Sequence, residues 1–228
     1  TLGIDGYSHR RFLNDFYVGR FDGTFSRGVP FQENPKTGDA RIAGTTASLA
    51  GVEAGDPGGE DRVILAHALA LSTGGIPLLY LGDELGQLND YTYRDDPAHA
   101  DDSRWVHRPA ADAEAFAARH DPSTVAGRIH ARLTALIEAR RRTPEFADIP
   151  LTPFHTPHPS VVGFQRLGAA GSVLVLANVG DDAVTIDAVT LSGFHGTATD
   201  VVDGTAADLS GGLELPAHGF RWLRVQPA

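Results

Sequence analysis

The sequence predicts an α/β segment followed by an all-β domain, and three observations carry that reading. An apolar helical stripe over residues 59–73 stops at Gly74-Gly75, and an apolar run, Ile76 to Leu81, follows at once. Helix, glycine turn and short apolar run make half of a βαβ unit, with 76–81 as a fully buried strand. After Pro144 the hydrophobic period changes from three-and-four to two, with turn residues every eight to twelve positions, the pattern of a small antiparallel sandwich. Residues 1–55 are rich in glycine and aromatics but have too little apolar surface to form a domain alone. They must lie on something larger.

The individual elements follow from the same rules. Phe12, Leu13, Phe16 and Tyr17 recur at helical spacing, which predicts a short amphipathic helix over 8–18. Phe21-Asp22-Gly23 and Phe25-Ser26-Arg27-Gly28 are turn-like, 31–38 is a polar loop, and 39–53 reads as a small-residue helix. Within 59–73, Val63, Leu65, Ala66, Leu69 and Ala70 share one face. Ala110 to Arg119 is a short helix, and Ser123 or Asp121 caps a longer one over about 124–142. In that helix Val125, Ile129, Leu133, Leu136 and Ile137 form a stripe, and Arg140-Arg141-Arg142 complement the helix dipole at its end. Strands are expected at Val161 to Phe164, Ser172 to Asn178, Val184 to Val189 and Phe220 to Val225, giving six to eight in all. Turns fall at Gly180-Asp181-Asp182 and Asp203-Gly204-Thr205.

Composition narrows the function classes. The 228 residues carry a formal charge of −10, which argues against nucleic acid or an anionic membrane as a partner. No apolar run reaches membrane-spanning length, and no basic-then-apolar leader opens the chain. There is no Cys, hence no disulfide and no thiolate ligand or nucleophile. There is no Met either, so the chain is expected to be processed, trimmed or part of a longer product. Compartment stays open. Asp95, Asp96, His99, Asp101 and Asp102 cluster as a hard cation would want, but without EF-hand spacing or its glycine. They read as a solvated acidic loop that positions Arg104. No phosphate loop, Ser-His-Asp order or zinc spacing is present.

GGIPLLYLGDE, followed by DDSRW and HRP, resembles the last barrel strand and following loop of the α-amylase superfamily (glycoside hydrolase family 13). The narrower DDSRWVHRP is similar to the amylosucrase and sucrose hydrolase group within it. Upstream GYSHRRFLNDFYVGRFDGTFSRGVPFQENPKTGDARIAG and downstream RHDPSTVAGRI agree. The resemblance implies the C-terminal part of a (β/α)₈ TIM barrel enzyme. Residues 1–55 would be an excursion over the active-site mouth, 56–147 the last part of the barrel, and 148–228 the terminal β-sandwich covering one side of it. It implies a retaining enzyme that cleaves sucrose, passes glucose to an α-1,4-glucan acceptor and releases fructose, with no cofactor. Sucrose hydrolysis is the nearest alternative. A non-catalytic glucan-binding or structural piece is an alternative of another class.

Retaining glycoside chemistry uses a nucleophile and an acid/base about 5 Å apart. The resemblance places both, and the family's third carboxylate, before Thr1. No catalytic residue is therefore expected here, and the rest of the barrel is required. Asp83 and Glu84 do not substitute, since adjacent residues leaving a strand point in opposite directions. What the resemblance assigns here is sugar binding. Arg104 matches the residue that pairs with a carboxylate at the bottom of the glucose pocket. Arg41 and Arg10 match acceptor-path arginines, and Gln32 and Asn34 match polar residues of the rim.

Overall fold

The computed structural model describes residues 3–147, 150–168 and 171–226. Packing divides the chain into two compact units, Thr1–Val63 with Leu79–His130, and Ile64–Leu78 with Ala131–Ala228.

In the first unit, α1 (Gly6–Tyr17) starts where the Asp5 carboxylate accepts the Ser8 amide at 2.8 Å, a side-chain cap. Its Phe12 stacks on Phe21 at 5.6 Å, and Phe16 meets Phe25 edge-on at 5.1 Å. Gly28 then passes close to the helix end, its amide donating to the Tyr17 carbonyl at 2.6 Å. A Cβ there would sit 2.6 Å from that oxygen and 2.5 Å from Ile42, so only glycine fits. Next, β1 (Val29–Phe31) pairs antiparallel with β2 (Arg41–Ala43), Val29 opposite Ala43 and Phe31 opposite Arg41. Strands of three residues carry too little period-two signal to be read from sequence. The helix expected over 39–53 is replaced by β2 and the five-residue α2 (Thr46–Ala50). Thr45 caps α2, and Gly51 ends it at φ 101°.

α3 (Gly59–Ser72) begins in this unit. Its Arg62 pairs with Asp56 at 2.7 Å and lies 3.7 Å over the Phe25 ring. After three 3₁₀ turns, at Asp83–Leu85, Thr92–Asp95 and Ser103–His107, come α4 (Ala113–Ala117) and α5 (Val125–Arg142). The cap of α5 is Thr124, whose hydroxyl accepts the Gly127 amide at 3.0 Å, rather than Ser123 or Asp121. Asp121 instead takes the Ser123 amide and hydroxyl, at 2.9 and 2.7 Å. Val29, Ala43, Tyr93 and Val106 form the core, with Phe31 and Trp105 packed against it.

The buried strand expected at Ile76 to Leu81 is not formed. The backbone there is irregular, and Ile76, Leu78 and Leu81 are 99%, 85% and 71% exposed. A strand is held by ladder bonds to its neighbours, and no strand among the described residues pairs with this stretch. For the same reason no closed barrel exists among the described residues. Asp83 and Glu84 leave a 3₁₀ turn rather than a strand end, so the argument from alternating strand directions does not apply to them. Glu84 is instead structural: its carboxylate accepts the Gly82 amide at 2.9 Å.

The second unit holds the sandwich, with eight strands among the described residues: β3 (Leu151–Pro153), β4 (Val161–Gly168), β5 (Gly171–Asn178), β6 (Val184–Ile186), β7 (Thr197–Asp200), β8 (Ala206–Asp208), β9 (Leu213–Leu215) and β10 (Phe220–Val225). Six form one antiparallel sheet in the order β3-β4-β5-β10-β7-β8, and β6 pairs with β9. β5 is buried along almost its whole length. Leu174 and Leu176 join Leu223 and Val225 in the core that also takes Ile186 and Leu215. On β10, Trp222 packs edge-on against Phe146 at 4.7 Å. Arg166 is fully buried, and its guanidinium takes the carbonyls of Ser72, Phe146 and Ala147 at 3.1–3.4 Å. Burial holds its pKa below the ordinary arginine value. Arg140 donates to the Leu71 carbonyl and, at 2.8 Å, to that of Gly75. The two arginines thus satisfy carbonyls at the end of α3, which would otherwise lack partners. No helix among the described residues is long and apolar enough to cross a membrane.

Candidate functional site

Three of the five site residues named from sequence lie on the β1–β2 hairpin. Arg41 opens β2, opposite Phe31, and opposed residues of an antiparallel pair share a face. Gln32 follows β1 in the left-handed region, at φ 53°, unusual for a residue with a Cβ. Asn34 shapes its own loop. Its side-chain oxygen accepts the Lys36 amide at 2.9 Å, and its backbone bonds Asp39, Thr37 and Gly38. α1 holds this loop from the other side, with Tyr7 Oη donating to the Thr37 carbonyl at 2.7 Å and Arg10 4.0 Å from Asp39. Glu33, beside Gln32, pairs with Arg20 at 2.9 Å.

The fifth residue arrives from far along the chain. The 3₁₀ turn Ser103–His107 is pinned to β1 by the Ser103 hydroxyl, which donates to the Pro30 carbonyl at 2.8 Å. Trp105 packs on the core, with the His99 ring 3.7 Å from its own. Arg104 is thereby delivered to the hairpin, its guanidinium 4.8 Å from the Phe31 ring centroid, within cation–π range. Asp102 caps the turn by accepting the Arg104 amide at 3.0 Å. It also takes the same residue's guanidinium, Nε at 2.9 Å and Nη2 at 2.8 Å. That pairing holds the Asp102 carboxyl down at about 2 and raises Arg104. Asp102 is therefore committed as an anion, too weakly basic to carry a proton near neutral pH.

Asn89 holds the two sequence regions together. Its side chain accepts the Thr45 amide at 2.8 Å and donates to the Arg27 carbonyl and to Tyr91 Oη, while its own amide donates to Ser48 Oγ at 2.9 Å. Tyr91 Oη in turn donates to Glu53 at 2.8 Å. Sequence reasoning missed Asn89, Phe31 and the specific role of Asp102. Asn89 and Phe31 carry no titratable signal, and Asp102 looked like one of several loop carboxylates. A cleft of ≈ 90 Å³ lies in the same unit, lined by Thr45, Thr46, Tyr80, Asp83, Gln87 and His107 among others. Burial, chiefly, depresses the His107 pKa. Among the described residues no group of three or more His, Asp or Glu is placed to hold a metal.

Arg104 lies against the Phe31 ring, and Arg41 stands opposite Phe31 in the strand register, so these three make a ledge on the hairpin, while no contact among the described residues ties the Gln32 or Asn34 amide to it. Arginines hydrogen-bond hydroxyl-rich ligands, and the guanidinium fork fixes their orientation.

No protein-family model matches the chain. Among solved structures it is similar to AmyP in complex with maltotriose, at TM-score 0.63 and 16% identity over 80% of this chain and 39% of that one. It is similar to an Anoxybacillus α-amylase described as a new glycosyl hydrolase subclass, at TM-score 0.55 and 16% identity over 82% of this chain and 36% of that one. It is also similar to the isomaltulose synthase of Klebsiella sp. LX3, at TM-score 0.51 and 16% identity over 73% and 38%. The chain spans about two fifths of the length of these structures, and what it shares with them is the fold of that part.

Proposed function

We propose that this chain is the C-terminal part of an α-amylase-superfamily enzyme of the amylosucrase kind. The full-length protein cleaves sucrose with retention, transfers the glucosyl unit to an α-1,4-glucan and releases fructose. Its nucleophile, acid/base and third carboxylate are supplied by the preceding part of the barrel. This chain supplies groups that bind sugar: Arg104 for the terminal glucosyl unit, Arg41 and Arg10 for the acceptor path, Gln32 and Asn34 for the rim. Residues 1–55 cover the active-site mouth, 56–147 complete the barrel, and 148–228 pack against it.

The observation that carries the reading is the meeting of Arg104 with Phe31, opposite Arg41. The upstream stretch that ends in GVPFQENPKTGDARIAG and the stretch DDSRWVHRP, both of which resemble this enzyme group, lie far apart in sequence and are joined by the Ser103–Pro30 hydrogen bond. The experiment is to give the full-length protein sucrose with and without an α-1,4-glucan and to quantify fructose, free glucose and glucan. Fructose should exceed free glucose, with the difference recovered in glucan. Absence of fructose release sinks the proposal, and equal fructose and glucose makes the enzyme a sucrose hydrolase. The 228-residue chain alone should release none.

A further inference from the structure

We infer that Asp102 is the positioning residue for Arg104: it occupies the side-on edge of the guanidinium and leaves the end-on edge for acceptor oxygens of the glucose pocket. The inference rests on the sugar-binding role proposed for Arg104. An arginine head has five N–H donors and two edges that present a parallel pair, Nε with Nη2 and Nη1 with Nη2. Asp102 takes the first edge, at 2.9 Å to Nε and 2.8 Å to Nη2. Among the described residues no acceptor is bonded to Nη1. Two donors on Nη1 and one on Nη2 therefore remain, and they match the spacing of vicinal hydroxyls or of a second carboxylate. The ring of Phe31 lies under the same head, 4.8 Å away, and limits rotation out of that plane.

Stability is a poor explanation for this pair. Arg104 is 48% exposed and Asp102 29%, and exposed ion pairs contribute little. What the pair does fix is a rotamer. Both residues sit in one short turn, whose cap is the same carboxylate and whose start is pinned to β1 through Ser103. A long side chain held before ligand arrives does not lose its freedom on binding. The depressed pKa of Asp102, about 2, keeps the clamp charged across the working range of pH.

The test uses the full-length protein with sucrose. Asp102→Asn keeps an oxygen for the Arg104 amide but loses the charge and half of the clamp. It should raise KM about tenfold, the worth of one charge-assisted hydrogen bond, with kcat and melting temperature little changed. Asp102→Ala should do the same and be partly restored by added formate, which can refill the side-on edge. Arg104→Ala should be worse, and formate should not restore it. Wild-type KM in both Asp102 variants, with Arg104→Ala impaired, overturns the positioning role while leaving the function standing. A loss in Asp102→Ala that formate does not relieve and that follows a drop in melting temperature also overturns it. If Arg104→Ala itself behaves as wild type, the sugar-binding reading falls and this inference falls with it.

Discussion

Asp102 and Asp200 are the same side chain in opposite settings. Asp102 lies in an exposed turn of the hairpin unit, and Arg104 beside it holds its carboxyl down at about 2. Asp200 lies on β7 of the sandwich, and desolvation pushes its pKa up despite hydrogen bonds from the Val202 amide and, at 3.4 Å, from Arg221. In the hairpin unit charge is solvated and directional, and it arranges a side chain. In the sandwich charge is a cost that the apolar core outweighs. The units should accordingly respond to different perturbations, stability in one and ligand binding in the other.

The largest effect should come from the sandwich core. Leu176 is fully buried among Leu174, Ile186, Leu215 and Leu223. Leu176→Ala should destabilise by about 2–5 kcal/mol in urea unfolding, the usual range for a buried leucine. A change below about 1 kcal/mol would mean the core is looser than its burial implies.

Arg104→Ala comes next, and it should act on the ligand and not on the fold. In the full-length protein it should lower kcat/KM for sucrose by roughly 100-fold, about 2.7 kcal/mol, with Arg104→Lys between Ala and wild type. A similar loss of melting temperature and activity together would erase the contrast between the units.

The two aspartates sharpen the comparison through pH. The depressed Asp102 pKa gives a contribution present above its unfolded value of 3.8 and lost as pH falls through about 2. Its Arg104 pairing should still be visible by NMR at pH 4. Asp200 works the other way. Its raised pKa gives a contribution present below 3.8 and lost as pH rises through the folded value. Asp200→Asn should therefore gain on wild type as pH rises from about 4 to 7, read as the difference in urea midpoints. A constant difference would show that Asp200 is not shifted.

The smallest effect belongs to Arg142, on the last turn of α5 and 3.7 Å from Glu138. Arg142→Ala should leave kcat/KM within a factor of about two and stability within about 0.5 kcal/mol, as exposed changes do.

Legibility in the sequence also differed between the units. The sandwich was readable from its strand pattern, because a face packed on the core needs apolar side chains and a solvated face does not. β5 and β10 sit where that pattern put them. The α3 and α5 stripes were readable for the same reason. Ile76 to Leu81 misled because an apolar run reports what a segment needs to bury, not whether neighbours are there to bury it. In the candidate site, Arg104 and Arg41 were found through motif resemblance. Phe31 was not, and Asp102 was named only as one of a loop of carboxylates expected to position Arg104, since the register of a three-residue strand and the pairing of residues two apart leave no periodic trace.

The central claim is that the ledge serves a sucrose-cleaving enzyme rather than one that acts only on maltooligosaccharides. Its most direct test is kcat/KM of the full-length protein for sucrose against maltotriose, with Arg104→Ala measured in parallel. The account predicts a clear preference for sucrose, fructose as the released product, and a roughly 100-fold loss for sucrose in the variant. Maltotriose hydrolysis without sucrose cleavage, or a variant that cleaves sucrose as wild type does, would contradict it.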